Sequence, residues 1–267
     1  MWLRTHCILE FEITVPTPFV LMLRPQSCRN QWLVKEEYKT TPSVSVVEFT
    51  DIYGNLCQRL IAPIGNFSIY TSFIVKTSDY VVQALGAHFV EIQNLPEDVL
   101  IYLLPSRYCE SDHFYQMAME ITEGQEFGYN QVLAITKWIR RTIRFESEFS
   151  YLQSSAIEIN SRQSGVCRDL AHLAIAMCRS LSIPARIVVG YLHELEPMDL
   201  HAWFEVYVGN RWYSFDPTQD KIKGGYVVVG YGRDAADVAI YNQFGPALQA
   251  KKHQISVERI NNNSIIG

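Results

Sequence analysis

Ser164–Tyr191 reads SGVCRDLAHLAIAMCRSLSIPARIVVGY, a turn, a helix and a strand in succession. Ser164 is a candidate N-cap. Leu170, Ala174, Met177 and Leu181 recur at helical spacing and predict a buried face. Pro184 bars the helix from continuing, because the residue before a proline is pushed out of the helical region. Ile187, Val188 and Val189 then predict a buried strand. Cys167 falls in the first helical turn, where unpaired backbone N–H groups and the positive end of the helix dipole gather. Both favour the thiolate, the nucleophilic form. The same N–H groups can steady an oxyanion formed beside the sulfur. A cysteine taken alone is more often a small buried apolar residue, so the reading depends on the rest of the chain.

Downstream, Leu200–Val208 and Arg211–Asp216 predict a hairpin turning at Gly209-Asn210. In that register Val208 pairs with Arg211, and Asp216 stands opposite Trp203, diagonal to His201. Diagonal neighbours lie roughly 7–8 Å apart at the backbone, within reach of long side chains. His201, Trp203, Glu205, Tyr207, Trp212, Ser214 and Asp216 share one side. Ala202, Phe204, Val206, Val208, Tyr213 and Phe215 share the other, an apolar set suited to a core. His201 and Asp216 thus form a candidate base and orienter, the carboxylate fixing the imidazole tautomer. With Cys167 they make a candidate nucleophile–base–orienter triad. Trp203 and Trp212 are candidate walls of a substrate cleft, and Gln163 is a candidate oxyanion donor. His172 falls about 140° round the helix from Cys167 and suits packing better than catalysis. Asp169 suits the helix start, and Arg168 a carboxylate partner.

The 267 residues allow one large or two ordinary domains. Hydrophobic content of 48%, charged content of 19% and a net charge of −5 describe a globular chain without a basic footprint for nucleic acid. No apolar run approaches the roughly 20 residues of a membrane span. Phe19–Leu23 is too short for a signal-peptide core, so a cytoplasmic location is expected. The six cysteines are scattered and form no CxxC pair, which argues against a zinc knuckle or a disulfide framework. No metal and no cofactor are expected, and the oligomeric state is open.

Residues 1–95 alternate with a period of two over Cys7–Val15 and Phe67–Val75 and predict an antiparallel β domain. Pro16 and Pro18 are expected to end the first strand. Val44–Phe49 and Leu56–Ile61 predict a hairpin about Gly54-Asn55, and Val81–Val90 a further strand. Residues 96–112 read as a linker, with 113–267 as the second domain. There His113–Thr122 predicts a short helix, and Asn130 a cap for a helix carrying Val132, Ile135, Ile139 and Ile143 on one face. Arg144–Ser155 reads as a loop bordering a cleft.

SGVCRDLAHLAIAMCRSLSIPARIVVGYL, followed by LHAWFEVYVGNRWYSFDPT, resembles the transglutaminase-like superfamily. It is most similar to the bacterial branch labelled transglutaminase-like cysteine proteases. YLLPSRYCESD (Tyr102–Asp112) and GYGRDAADV (Gly230–Val238) match the same branch. The resemblance implies that the cysteine of GVCRD, the histidine of HAWFE and the aspartate of FDPT form the triad, here Cys167, His201 and Asp216. It implies an α+β fold with a papain-like core, the cysteine helix packed on an antiparallel sheet behind an all-β N-terminal domain. It also implies a peptide or protein substrate and a cysteine peptidase or amidase working through a thioester. The same triad serves a protein-glutamine transglutaminase or a small-molecule acyl transferase. A non-catalytic peptide-binding module is the remaining alternative.

Overall fold

In a computed structural model, residues 1–28, 30–146, 153–221 and 223–261 are described. Strands β1 (Trp2–Ile13), β2 (Thr17–Leu21), β3 (Gln31–Thr41), β4 (Val47–Thr50), β5 (Leu56–Ala62) and β6 (Gly65–Thr77) come first. Helices α1 (Tyr115–Ile121) and α2 (Tyr129–Thr142) follow, then β7 (Arg144–Phe145), α3 (Ala156–Arg162), β8 (Ser164–Gly165) and α4 (Cys167–Ser180). The chain continues with β9 (Ala185–Leu192), β10 (His201–Val208), β11 (Arg211–Phe215) and β12 (Tyr226–Gly232). It closes with β13 (Tyr241–Gln243) and β14 (Lys252–Arg259).

Two four-stranded sheets, ordered β14-β1-β6-β3 and β13-β2-β5-β4, make the β module. Along β1 the buried residues are Leu3, Thr5, Cys7, Leu9, Phe11 and Ile13, the expected period of two. Phe11 of one sheet packs on Phe19 of the other, ring centroids 5.2 Å apart. Four details differ from the sequence reading. β1 already ends at Ile13, before Pro16, and Pro18 lies inside β2, opposite Ile61. The largely polar β3, which pairs with β6 along its backbone, has no alternating apolar pattern to mark it. Val81–Val90 is not a strand; it is a loop whose His88 bridges Gly128. The C-terminal β13 and β14 return to pair with β2 and β1, so the β module contains both ends of the described chain.

Helix α4 is the hub of the second unit. Every residue from Asp169 to Arg179 is buried, so the helix has no solvent face. Ala171, Ala174 and Ala176 are small enough for α2, α3 and the sheet to approach from all sides. The sheet has the order β11-β10-β9-β12. Its apolar set, Ala202, Phe204, Val206, Val208, Tyr213 and Phe215, packs in one core with α4. Each such side chain stabilises the fold by about 1.5–3 kcal/mol when fully buried.

The outer edge of β12 is covered by two side-chain amides of the β module. Gln31 donates to the Val228 carbonyl at 2.8 Å and accepts from the Val228 N–H at 2.7 Å. Asn55 does the same at Tyr231, at 2.7 and 2.8 Å. Each amide stands where a neighbouring strand would otherwise pair. The 96–112 stretch, read as a linker, is tied into the core. Arg179 donates to the carbonyls of Leu104, Ala185 and Arg233, and Asp234 accepts from the Tyr108 N–H at 2.7 Å. Tyr108 stacks on His172, interplanar angle 7°. His172 accepts from the Ala235 N–H and meets the Ser154 carbonyl through its other nitrogen, each at 3.2 Å. Burial holds the His172 imidazole down at about 4, against the pull of Asp234. Arg233–Asp237 is an ion pair four residues apart in a turn, with Tyr53 donating to the same carboxylate. The GYGRDAADV segment is therefore a structural clasp.

Candidate active site

Cys167 is the first residue of α4, as expected, but Ser164 is not the cap. Val166 holds that position, and the Asp169 carboxylate reaches back to accept from the Val166 N–H at 3.2 Å. Burial pushes the Asp169 carboxyl up, while the Arg168 and Arg162 guanidinium groups oppose it. Asn130 likewise lies inside α2 and is not its cap. Gly128 caps that helix, and the Gln131 side chain accepts from the Gly128 N–H at 3.1 Å.

The hairpin forms in the expected register. Val208 pairs with Arg211 and Phe204 with Phe215. Gly209 and Asn210 have φ of +54° and +62°, the left-handed pair that a two-residue turn needs. His201 opens β10, and Asp216 follows the last residue of β11. His201 Nε2 lies 2.6 Å from Asp216 Oδ2. The two residues are 3% and 2% exposed. Cys167, at the head of α4, acts on the same imidazole and helps to raise it. Since Nε2 faces Asp216, Nδ1 is the nitrogen left for sulfur. Cys167 is the half-buried member of the three.

Burial opposes a charged imidazole, but the Asp216 carboxylate, its hydrogen bond and the Cys167 thiol outweigh burial. His201 is raised to about 10. Burial also opposes the Asp216 charge, yet His201 and Thr218 hold the carboxyl below its ordinary value. Thr218 donates to Oδ1 twice, from its N–H at 2.9 Å and its hydroxyl at 2.7 Å. Tyr226 donates to Oδ2 at 2.8 Å. The Asp-Pro-Thr turn was a readable signal for Thr218, since aspartates bond backbone two residues on. Nothing local marked Tyr226, which comes from β12.

The other candidates are placed as follows. Trp203 is buried and stacks on His201, ring centroids 6.0 Å apart. Trp203 and Trp212 line a common cavity that does not include Cys167, His201 or Asp216. Gln163 is the left-handed C-cap of α3, and its amide nitrogen turns back to bond Asn160. Of the Arg144–Ser155 loop, residues 147–152 lie outside the described residues, as do 262–267 of the tail. No helix among the described residues is long and apolar enough to cross a membrane.

Comparison with known proteins agrees with this layout. The sequence profile of the transglutaminase-like superfamily matches residues 115–217, from α1 to the proline after Asp216. A crystal structure of a "Putative Cysteine Protease" from Cytophaga hutchinsonii is 33% identical, with a TM-score of 0.90. It is matched over 98% of this chain and 91% of that one. An uncharacterized protein of Mycobacterium leprae is 27% identical over 234 residues, 81% of this chain and 82% of its own length. One of Mycobacterium tuberculosis is 34% identical over 116 residues, 36% of this chain and 37% of its own. With its cysteine helix, antiparallel sheet and β module together, the chain belongs to the transglutaminase-like superfamily, in its bacterial cysteine-protease-like branch.

Proposed function

We propose that the protein is a thiol-dependent amide hydrolase, a cysteine peptidase or amidase acting on a peptide or protein. The observation that carries this reading is the buried His201–Asp216 contact at 2.6 Å, with Cys167 at the head of α4 among the groups that raise the imidazole. Cys167 Sγ attacks the amide carbonyl carbon. The C–N bond breaks, and His201 delivers a proton to the departing amine. An imidazole raised to about 10 keeps that proton at neutral pH. Asp216 fixes the ring and balances its charge. The leading N–H groups of α4 face the developing oxyanion. The Val166 N–H is taken by Asp169 and the Leu170 N–H by the Val166 carbonyl, so the N–H groups of Cys167, Arg168 and Asp169 are those that open the helix mouth. Water then attacks the thioester, His201 taking one of its protons, and the C–S bond breaks to release the acid and restore the Cys167 thiolate beside the protonated imidazole.

Hydrolysis is favoured over transfer to an amine by the protease description of the Cytophaga hutchinsonii relative. A free nucleophilic thiol suits a reducing compartment, and we place the reaction in the cytoplasm. The test is mass spectrometry of the intact protein after exposure to a peptide library, with and without an added amine. An acyl adduct on Cys167 that decays in water alone is expected. Turnover only when the amine is present would assign a transglutaminase. Iodoacetamide at neutral pH should label Cys167 well before Cys178, which is 0% exposed and whose thiol burial pushes far up. Equal labelling of the two would overturn the proposal.

A further inference from the structure

Strand β12 pairs with β9 on one edge, and the β module meets the other. Gln31 opens β3, Thr77 closes β6, and the two are cross-strand partners. They reach positions two residues apart on β12. Gln31 bonds both backbone groups of Val228, and the Thr77 hydroxyl donates to the Tyr226 carbonyl at 2.7 Å. Alternate residues of a strand turn their backbone groups to the same edge, so both contacts fall on the edge away from β9. The seam continues into the turn before β12. The Gly225 N–H donates to the Ser78 carbonyl at 3.1 Å. A Cβ on Gly224 would lie 2.2 Å from the Asp79 carbonyl carbon, so the two backbones meet there because position 224 is glycine.

Tyr226 is where this seam reaches the triad. It is the first residue of β12 and pairs with Leu192, the last of β9. Strand ends fray unless something beyond the ladder holds them. The Tyr226 hydroxyl donates at 2.8 Å to Asp216 Oδ2, the oxygen that meets His201 Nε2 at 2.6 Å. Its ring centroid lies 4.9 Å from that of Trp203 and 6.3 Å from that of His201. A tyrosine side chain turns about two torsions only, so the place of its hydroxyl follows from the place of its backbone. From 2.8 Å, a displacement of about 1 Å ends the bond to Asp216.

We propose that Thr77 is a positioning residue of the triad, acting through Tyr226 on Asp216, and that the β module thereby belongs to the working site. The role rests on the triad reading above. The Thr77 hydroxyl fixes the Tyr226 backbone, the Tyr226 hydroxyl fixes the Asp216 carboxylate, and the carboxylate fixes the imidazole.

Alkylation of Cys167 by iodoacetamide, followed on the full chain from pH 5 to 10, tests this without a substrate. The profile reports how the thiol and the imidazole share a proton. Its midpoint should move in Tyr226→Phe, and in Thr77→Val in the same direction by at least half as much. Thr77→Ser keeps the hydroxyl and should return the wild-type profile. Adding Thr77→Val to Tyr226→Phe should move the midpoint no further, because both act at one contact. Thr17→Val removes a hydroxyl–carbonyl bond, also of 2.7 Å, elsewhere in the β module and should leave the profile alone. Circular dichroism checks the fold of each variant. An unmoved midpoint in Tyr226→Phe or in Thr77→Val, an equal shift in Thr17→Val, or full additivity in the double variant would each overturn the role.

At saturating peptide, acylation of Cys167 should fall about two- to tenfold in Thr77→Val, the net effect of one hydrogen bond, with the half-saturating concentration unchanged. Acylation at the wild-type rate in that variant would overturn the positioning role and leave the hydrolase reading intact. A wild type that forms no acyl adduct, with the alkylation profiles as expected, would overturn the hydrolase reading and support the positioning role.

Discussion

His201 and Asp216 meet across the β10–β11 ribbon, Nε2 to Oδ2 at 2.6 Å, although Asp216 lies one residue beyond the last ladder pair, Phe204–Phe215. The contact closes where backbone pairing ends. The Asp216 carboxylate is held instead by Thr218, through its N–H and hydroxyl, on one oxygen and by His201 and Tyr226 on the other.

Replacing Asp216 by Asn keeps the shape and removes the charge that holds the His201 proton. Thioester formation should fall roughly 10²- to 10⁴-fold, the range general acid–base catalysis supplies. Rapid-quench mass spectrometry of the acyl adduct measures it. A variant acylated at the wild-type rate would refute the orienting role.

The same pair sets a pH dependence of stability. His201 is near 6.5 when unfolded and about 10 when folded, so the folded state binds the extra proton between those values. Its stabilisation is complete below pH 6.5 and is lost as pH rises towards 10. Asp216 is depressed, so its contribution is present at neutral pH and fades as pH falls below the ordinary carboxylate range. Urea midpoints measured from pH 6 to 10 should decline in the wild type and lie flatter in His201→Ala. Parallel curves would contradict the assignment.

His172 acts in the opposite direction at acid pH. It is neutral when buried, with its pKa held down at about 4, and so takes up a proton more readily when unfolded. Stability should rise with pH between about 4 and 6.5, and His172→Phe should weaken that slope. The slope is read from midpoints at pH 4, 5, 6 and 7.

Tyr226→Phe removes one donor from a buried carboxylate. Hydrogen bonds to charged groups contribute about 1.5–3 kcal/mol, and a loss in that range is expected in urea unfolding. A change under about 0.5 kcal/mol would show that the hydroxyl does not support Asp216.

Arg179→Met should be the most damaging of these changes. It strips the donor from three carbonyls, those of Leu104, Ala185 and Arg233. Each buried orphan costs about 1–3 kcal/mol, so a loss above about 3 kcal/mol is expected in the same assay. A near-neutral variant would mean that water reaches the clasp.

Much of this arrangement was legible along the chain. The hairpin register followed from Gly209-Asn210 and the alternation on either side, because a one-residue slip would turn every side chain over. Cys167 at the head of its helix followed from helical spacing and Pro184. The failures share a cause. Ser164 and Asn130 fit the cap preference, but a side chain from inside the helix took the role at each end, Asp169 and Gln131. The missed β3 carries a polar sequence, since one strand alone does not reveal the backbone partner that defines it.

By itself the sequence determined the secondary elements of the core, the pairing of His201 with Asp216 and the position of Cys167, since each rests on local periodicity or turn chemistry. Only the tertiary structure decided that β13 and β14 return to the first sheets, that Tyr226 supports Asp216, and that GYGRDAADV clasps the 96–112 stretch. Those contacts join residues far apart in the chain, where neither spacing nor propensity carries information and packing alone selects the partner.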